Sequence, residues 1–163
     1  MINLDLWVDG AYANEDVRGA YVIVKNDKPL LGQKFLFKDP VYKKSRNVSG
    51  ELMAAARGVL GVIAILRDAN LAKEEVCLMI NYDYEGIAKF LDGSWRATKK
   101  VPIRYVGVMR YIMDMYPNIT LEYNKVKGHS GIFWNDVVDA YVSKSVIPNI
   151  IKEVAKEEEE VND

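Results

Sequence analysis

The chain has 163 residues, of which 50% are hydrophobic and 28% are charged, the balance of one globular domain. A single cysteine, Cys77, excludes a disulfide within the chain, and the lack of a signal-peptide pattern and of any run of about 18 apolar residues predicts a cytoplasmic protein without a membrane span. The net charge is −1, but residues 1–151 carry 20 basic and 17 acidic side chains, a surplus that is compatible with a polyanionic partner.

The N-terminal part of the chain has the pattern of three strands. Apolar and polar residues alternate at 2–8, and further strand patterns follow at 19–24 and 32–37. Asp9-Gly10 begins the first turn, and the connections are short, so we expect an antiparallel meander. Residues 38–48 then form a basic, polar loop, and Ser49 is the expected N-cap of a helix at 52–66.

The remaining elements alternate between strands and helices. Strand patterns occur at 76–80 and 119–126, helical patterns at 83–91, 103–116 and 134–144, and a second basic loop at 94–102. Pro148 suits the first turn of a further helix. This order predicts an α/β fold with a mixed five-stranded sheet, three antiparallel strands followed by parallel strands, and helices on both faces. We expect one domain over residues 1–144 and a helical extension with an acidic tail over 145–163.

Four carboxylates lie far apart in the sequence, each beside an apolar element: Asp9, Glu51, Asp83 and Asp139. Each has an ordinary explanation when taken alone. Asp9 suits a turn and Glu51 the first turn of a helix, while Asp83 suits a helix N-cap. Asp139 suits an exposed helix face paired with a lysine. The four elements would nevertheless be neighbours in the predicted fold, and converging acids repel each other unless a cation holds them.

The types of residue available point to a hard cation. Carboxylate oxygens favour Mg²⁺ or Mn²⁺, and two such ions can activate a water molecule and stabilise the leaving oxygen at one phosphate. One cysteine and one histidine allow no zinc pattern, and neither a phosphate-binding Walker loop nor a Gly-x-Ser-x-Gly motif is present. The histidine, His129, lies in a glycine-flanked loop ten residues before Asp139, where it could either transfer protons near neutral pH or have a structural role.

Five blocks of sequence carry a resemblance to a known family. They comprise residues 8–12, 47–55, 81–87, 93–97 and 126–131, the last with Asn135 and Asp139 at the spacing His-x5-Asn-x3-Asp. The chain resembles type 1 ribonuclease H across residues 2–144. It is most similar to the bacterial branch that often carries an N-terminal hybrid-binding module, and we expect no such module here.

The resemblance implies an enzyme that cuts the RNA strand of RNA/DNA hybrids with two divalent metal ions, leaving 5′-phosphate and 3′-hydroxyl ends. It implies that Asp9 bridges both metals, that Asp139 helps hold the metal that activates water, and that Glu51 and Asp83 hold the metal on the leaving-group side. Glu51 would also contact the RNA 2′-hydroxyl. His129 would assist proton transfer or product release.

Four further residues are expected to contact substrate by the same resemblance: Asn47, Trp95, Arg96 and Asn135. Only 12 positions separate Asp83 from Trp95, which leaves no room for the extra basic helix that many relatives use to grip substrate. Basic residues after Trp95 would partly replace it, or would be plain solvated surface. We therefore expect weaker and more salt-sensitive binding than in relatives that have this helix. A second basic cluster, Lys43, Lys44 and Arg46, could contact phosphates or form a solvated loop.

Two other functions remain open at this stage. A non-catalytic RNase H-like nucleic-acid-binding module is the first, although such modules usually lack one or more of the acids. A resolvase or transposase core on the same fold is the second, although it usually carries larger insertions. No obligate protein partner is evident from the sequence, and a monomer is expected.

Overall fold

A computed structural model describes residues 1–128, 130–144 and 153–158, with the backbone alone described at Asn47, Lys144 and 153–158. Three strands form an antiparallel meander: β1 (Ile2–Ala13), β2 (Asp16–Lys25) and β3 (Lys28–Phe37). Strand β4 (Val76–Tyr82) pairs in parallel with β1, and β5 (Ile119–Lys125) pairs in parallel with β4. The order β3-β2-β1-β4-β5 confirms the predicted mixed five-stranded sheet.

Strand β1 is longer than the alternation of residue types predicts. It continues through Asp9 and Gly10 to Ala13, because β2 pairs with it along this whole length, with Asp9 opposite Ala20. The turn lies instead at Asn14 and Glu15, which both have positive φ. The prediction that Asp9 ends the strand was therefore wrong, and Asp9 projects from within the sheet.

A sixth strand, β6 (Glu153–Glu158), pairs in parallel with the outer edge of β3. The helical extension expected over residues 145–163 is therefore wrong at 153–158. The edge of a sheet presents unpaired backbone groups, and these offer hydrogen bonds that a sequence rich in Glu and Lys does not reveal. The rest of the extension, including Pro148, lies outside the described residues.

The described part of the chain contains five helices: α1 (Pro40–Lys43), α2 (Arg46–Asp68), α3 (Gly86–Asp92), α4 (Lys100–Met115) and α5 (Phe133–Lys144). Helix α1 was missed, and it lies in the segment expected to be a loop, where the Asp39 carboxylate accepts a hydrogen bond from the Val41 N–H at 2.7 Å. Helix α2 begins three residues before Ser49, so Ser45 takes the N-cap position and Ser49 is buried within the helix.

The helices cover the two faces of the sheet. On one face, α2 and α4 enclose the larger core, which includes Leu6, Tyr21 and Tyr105. On the other face, α5 packs over β1 and β2 through Trp7 and Tyr141. The stretch Val48–Asp68 is long and apolar enough to cross a membrane by length and composition, contrary to expectation, but most of it is buried against the sheet as the core helix of this fold.

Candidate active site

The candidate site is built around Asp9, in the middle of β1. One oxygen of this carboxylate, Oδ1, accepts a hydrogen bond from the Gly10 N–H at 2.8 Å. The side chain projects from the same face of β1 as Trp7, toward helix α5. Its place in a paired central strand gives this acid a rigid backbone, which a turn residue would not have.

Gly50 sets helix α2 close to the strands at this point. A Cβ atom on Gly50 would lie 2.0 Å from the Arg18 carbonyl oxygen and 3.4 Å from the Gly10 Cα. Only glycine allows so close an approach of helix and sheet. The next residue of the helix, Glu51, is consequently placed beside Asp9, and only 4% of its surface is exposed.

Glu51 is held by the backbone that follows β4. Its Oε2 accepts hydrogen bonds from the N–H groups of Asp83 and Tyr84, each at 2.9 Å. Helix α3 starts at Gly86 and not at Asp83, where the sequence had predicted its start. The Asp83 side chain is exposed, and its charge acts on Glu51.

Asp139 approaches Asp9 from the opposite side of the sheet to Glu51. It is half-buried on α5, and its carboxyl group lies close enough to that of Asp9 to contribute to the raised pKa of Asp9. Three acids from β1, α2 and α5 therefore interact within one region, although they are separated by more than forty residues in sequence.

Burial and repulsion change the acidity of two of these groups. Burial, followed by the charge of Glu51, raises the pKa of Asp9 from 3.8 to about 8. Burial also raises the pKa of Glu51 from 4.5 to about 7, although the Tyr84 and Asp83 N–H groups and the nearby Lys125 act in the opposite direction. The neutral, protonated forms of both acids are therefore favoured near pH 7, because ionising them in this buried region is costly.

A divalent cation is the group that these residues would suit. All four candidate ligands are carboxylates, as Mg²⁺ prefers, and a cation would stabilise the ionised forms of Asp9 and Glu51, whose pKa values are raised mainly by burial. Within the described part of the chain, however, no three acidic, Cys or His side chains converge on one point as an ion-binding group would. The acids are arranged in pairs, Asp9 with Asp139 and Glu51 with Asp83. Ligand type and charge fit the cation, whereas the described side chains are not grouped closely enough to surround one ion.

The other predicted site residues are placed less centrally. His129 and the side chain of Asn47 lie outside the described residues. A Cβ atom on Gly128 would lie 3.5 Å from Asp83 Oδ2, so the loop leading to His129 passes beside Asp83. Asn135 is 7% exposed and lies one helical turn before Asp139.

Trp95 is half-buried beside the segment that carries Asp83, and Arg96 is exposed. The Trp95 ring packs at 6.0 Å from Tyr84 and 5.5 Å from Phe90, measured between ring centroids. The Lys89 ammonium lies 5.4 Å from its centroid. These contacts hold the indole in a fixed position near the candidate site.

Sequence reasoning missed the contacts of three residues around the site, of which Arg46 had been named only as part of a basic cluster. Gly50 lies in a block that was used only for its resemblance, and its role depends on the carbonyl of Arg18, which is distant in sequence. Lys125 ends β5, where parallel pairing with β4 brings it opposite Tyr82. Arg46 stacks on the Tyr12 ring at 5.3 Å and joins the start of α2 to the end of β1. None of these pairings can be read from local sequence.

Comparisons with known proteins bear on the fold. No protein-family model matches the chain, and no curated protein matches it by sequence. Among solved structures, LC11-RNase H1, isolated from compost by a metagenomic approach, is 16% identical, with a TM-score of 0.65 over 88% of this chain and 95% of that one. The same protein in complex with an RNA/DNA hybrid is 14% identical, with a TM-score of 0.64 over 86% and 94% of the two chains. RNase H1 from Halobacterium salinarum is 16% identical, with a TM-score of 0.56 over 85% and 92%. The chain therefore has the fold of the RNase H-like superfamily.

Proposed function

We propose that this protein is a ribonuclease H that hydrolyses the RNA strand of RNA/DNA hybrids, leaving 5′-phosphate and 3′-hydroxyl ends. The observation that carries the proposal is that Glu51 and Asp139 both act electrostatically on Asp9, so that acids from three different elements of an RNase H-like fold interact. The structural likeness to an RNase H1 that was crystallised with an RNA/DNA hybrid supports the choice of substrate.

The proposed cofactor is a pair of Mg²⁺ or Mn²⁺ ions held by Asp9, Glu51, Asp83 and Asp139. Such ions supply an activated water molecule and stabilise the leaving oxygen of the phosphodiester. Asp9 offers its carboxylate from a rigid strand, and two backbone N–H groups fix the orientation of Glu51. Asp139 would hold the cation together with Asp9, whose pKa it raises in the structure.

The remaining proposed roles concern protons and substrate. His129 would transfer a proton to or from the reacting groups. Its neighbour Gly128 lies beside Asp83, which brings this loop close to the candidate site. Trp95 and Arg96 would contact the hybrid beside the site, with the indole already held by its aromatic neighbours. Asn47 and Asn135 are also proposed as substrate-binding residues.

The test is cleavage of a labelled RNA/DNA hybrid with Mg²⁺, with Mn²⁺ and with a chelator, beside RNA duplex and DNA duplex of the same sequence. We expect cleavage of the hybrid's RNA strand only, and only with metal. Asp9→Asn should lower the rate by at least about a hundredfold, since loss of a ligand removes several kcal/mol of transition-state stabilisation.

Asp5→Asn is the matched control, because Asp5 lies four residues earlier on the same face of β1 and should leave the rate unchanged. Binding of the hybrid without cleavage under either metal would reject the enzyme in favour of the non-catalytic module. Equal rates for Asp9→Asn and wild type would reject the assignment of the metal ligands.

A further inference from the structure

Helix α4 carries large apolar side chains on both its inner and its outer side. The inner side is buried in the core through Tyr105 and Met109. On the outer side, Ile103, Tyr111 and Met115 are 52%, 61% and 56% exposed. Their positions differ by multiples of four residues, so they fall on one ridge along the helix. Single apolar residues on a surface are ordinary, whereas a helix that is apolar on two sides indicates a partner for the outer one.

The α4 ridge, which comprises Ile103, Gly107, Tyr111 and Met115, has a notch at its glycine. A Cβ atom on Gly107 would meet nothing within 4 Å, so packing within the described chain does not require a glycine here. Glycine inside a helix nevertheless costs about 1 kcal/mol relative to alanine. The missing side chain allows a side chain of another helix to approach the α4 backbone closely.

The notch and the adjacent Tyr111 ring make the α4 ridge complementary to a second copy of itself. In a two-fold contact between antiparallel helices, residues at equal distances from the axis face each other. An axis midway between Gly107 and Tyr111 places the ring of each copy against the glycine of the other. The same axis makes Ile103 of one copy face Met115 of the other, because both lie equally far from it.

Charge and shape elsewhere on α4 agree with this register. The axis also makes Asp114 of one copy face Arg104 of the other, and these side chains have opposite charges. A cavity of about 420 Å³ opens beside Ile103, with Trp95 in its lining. Met115 of the second copy faces Ile103 and so reaches the mouth of this cavity. Methionine suits such a place, because it fills irregular gaps and its sulfur makes favourable contacts with aromatic rings.

We propose that the α4 ridge is a two-fold dimer interface between two copies of this chain, with Tyr111 of each copy packed on Gly107 of the other. The ridge is only one helix wide, so the contact lies at the small end of specific interfaces and the dimer exchanges with monomer. The monomer expected from the sequence is then the state of dilute protein. The proposal does not depend on the proposed function, because no residue of the α4 ridge belongs to the candidate active site.

The test is the mass of the full chain, measured by sedimentation velocity at concentrations between about 5 and 500 µM. Gly107→Gln fills the notch and Tyr111→Gln removes the ring. Neither change alters the net charge, and both positions are exposed, so the variants should fold as wild type does. Leu30→Gln is the matched control, since it replaces an exposed apolar side chain on β3, away from α4. Circular dichroism checks that every variant keeps its secondary structure.

A chemical cross-link tests the register of the two helices. Chains with Gly107→Cys are mixed with chains with Tyr111→Cys, both also carrying Cys77→Ala, and are treated with oxidised glutathione. A disulfide needs Cα atoms within about 7 Å, so the mixture should yield at least about tenfold more cross-linked dimer than either variant alone.

We expect wild type and Leu30→Gln to shift from the mass of one chain toward that of two as concentration rises, with dissociation constants within about twofold of each other. Gly107→Gln and Tyr111→Gln should each raise the dissociation constant about tenfold or more, because central aromatic anchors dominate interfaces. Wild type that keeps the mass of one chain at the highest concentration would overturn the dimer. A dimer that both ridge variants leave unchanged would overturn α4 as its interface, and cross-linking no greater in the mixture would overturn the register.

Discussion

Replacing Asp9 by Asn should stabilise the metal-free protein, and the gain should grow as the pH rises. The carboxyl group has a pKa of 3.8 when exposed and about 8 in the fold, so folding favours its protonated form. The penalty for ionising it is absent below pH about 3.8, increases between about 4 and 8, and is complete above about 8. Asparagine has the same shape and no charge, so the variant avoids this penalty at every pH.

The magnitude follows from the size of the pKa shift. A shift of about 4 units, at about 1.4 kcal/mol for each unit, sets an upper bound of about 6 kcal/mol. Penetration of water and relaxation of Glu51 and Asp139 lower such penalties in proteins, so we expect about 2 kcal/mol at pH 8.5. For a domain of this size that corresponds to a rise in Tm of about 4–8 °C.

The assay is urea unfolding of wild type, Asp9→Asn and the control Asp5→Asn, in a chelator at pH 5 and pH 8.5. The stability advantage of Asp9→Asn over wild type should be larger at the higher pH, while Asp5→Asn stays within about 0.5 kcal/mol of wild type. Added Mg²⁺ should then stabilise wild type by about 1.4 kcal/mol at a tenfold excess over its Kd, and should have little effect on Asp9→Asn. An Asp9→Asn protein that is less stable than wild type in the chelator at pH 8.5 would refute the claim that ionised Asp9 destabilises the fold.

Three further substitutions test the packing that positions the site. Gly50→Ala should destabilise the protein by about 3 kcal/mol, because its new methyl group meets the Arg18 carbonyl oxygen, and a normal Tm would contradict the close approach. Gly107→Ala is the contrasting change, at an exposed position of α4 where a Cβ meets nothing within 4 Å. Thermal unfolding should show a free energy of unfolding that is about 0.5–1 kcal/mol higher than that of wild type. Tyr105→Phe should lower the free energy of unfolding by about 1–2 kcal/mol, because the buried hydroxyl donates to the Ile87 carbonyl at 2.6 Å; an unchanged urea midpoint would argue against that bond.

The order of strands and helices could be predicted because residue patterns are local. Alternation at 2–8 and helical spacing at 52–66 depend on neighbouring residues, and both elements are present in the structure. The predicted ends of the helices and strands were less accurate. The N-terminus of α2 was expected at Ser49, but the helix begins at Arg46, where the cation stacks on Tyr12 of a distant strand.

The candidate site could be predicted as a set of residue types and not as an arrangement. Carboxylates beside four apolar elements suggested a cation site, and the fold brings Asp9, Glu51 and Asp139 into electrostatic contact. Their pairwise arrangement, with Glu51 turned to the backbone of Asp83 and Tyr84, depends on where α2 meets β4. No local sequence pattern specifies how close α2 lies to the end of β4.

The sequence by itself determined which elements form and which acids are available, because helix and strand periodicity and side-chain chemistry are properties of short segments. Tertiary structure alone decided that β1 runs on past Asp9, that a sixth strand covers the edge of β3, and that Lys44 shares a groove with Lys99 and Lys100. These outcomes depend on backbone hydrogen bonds and close contacts between segments far apart in the chain, which come together only when the sheet and its helices have packed.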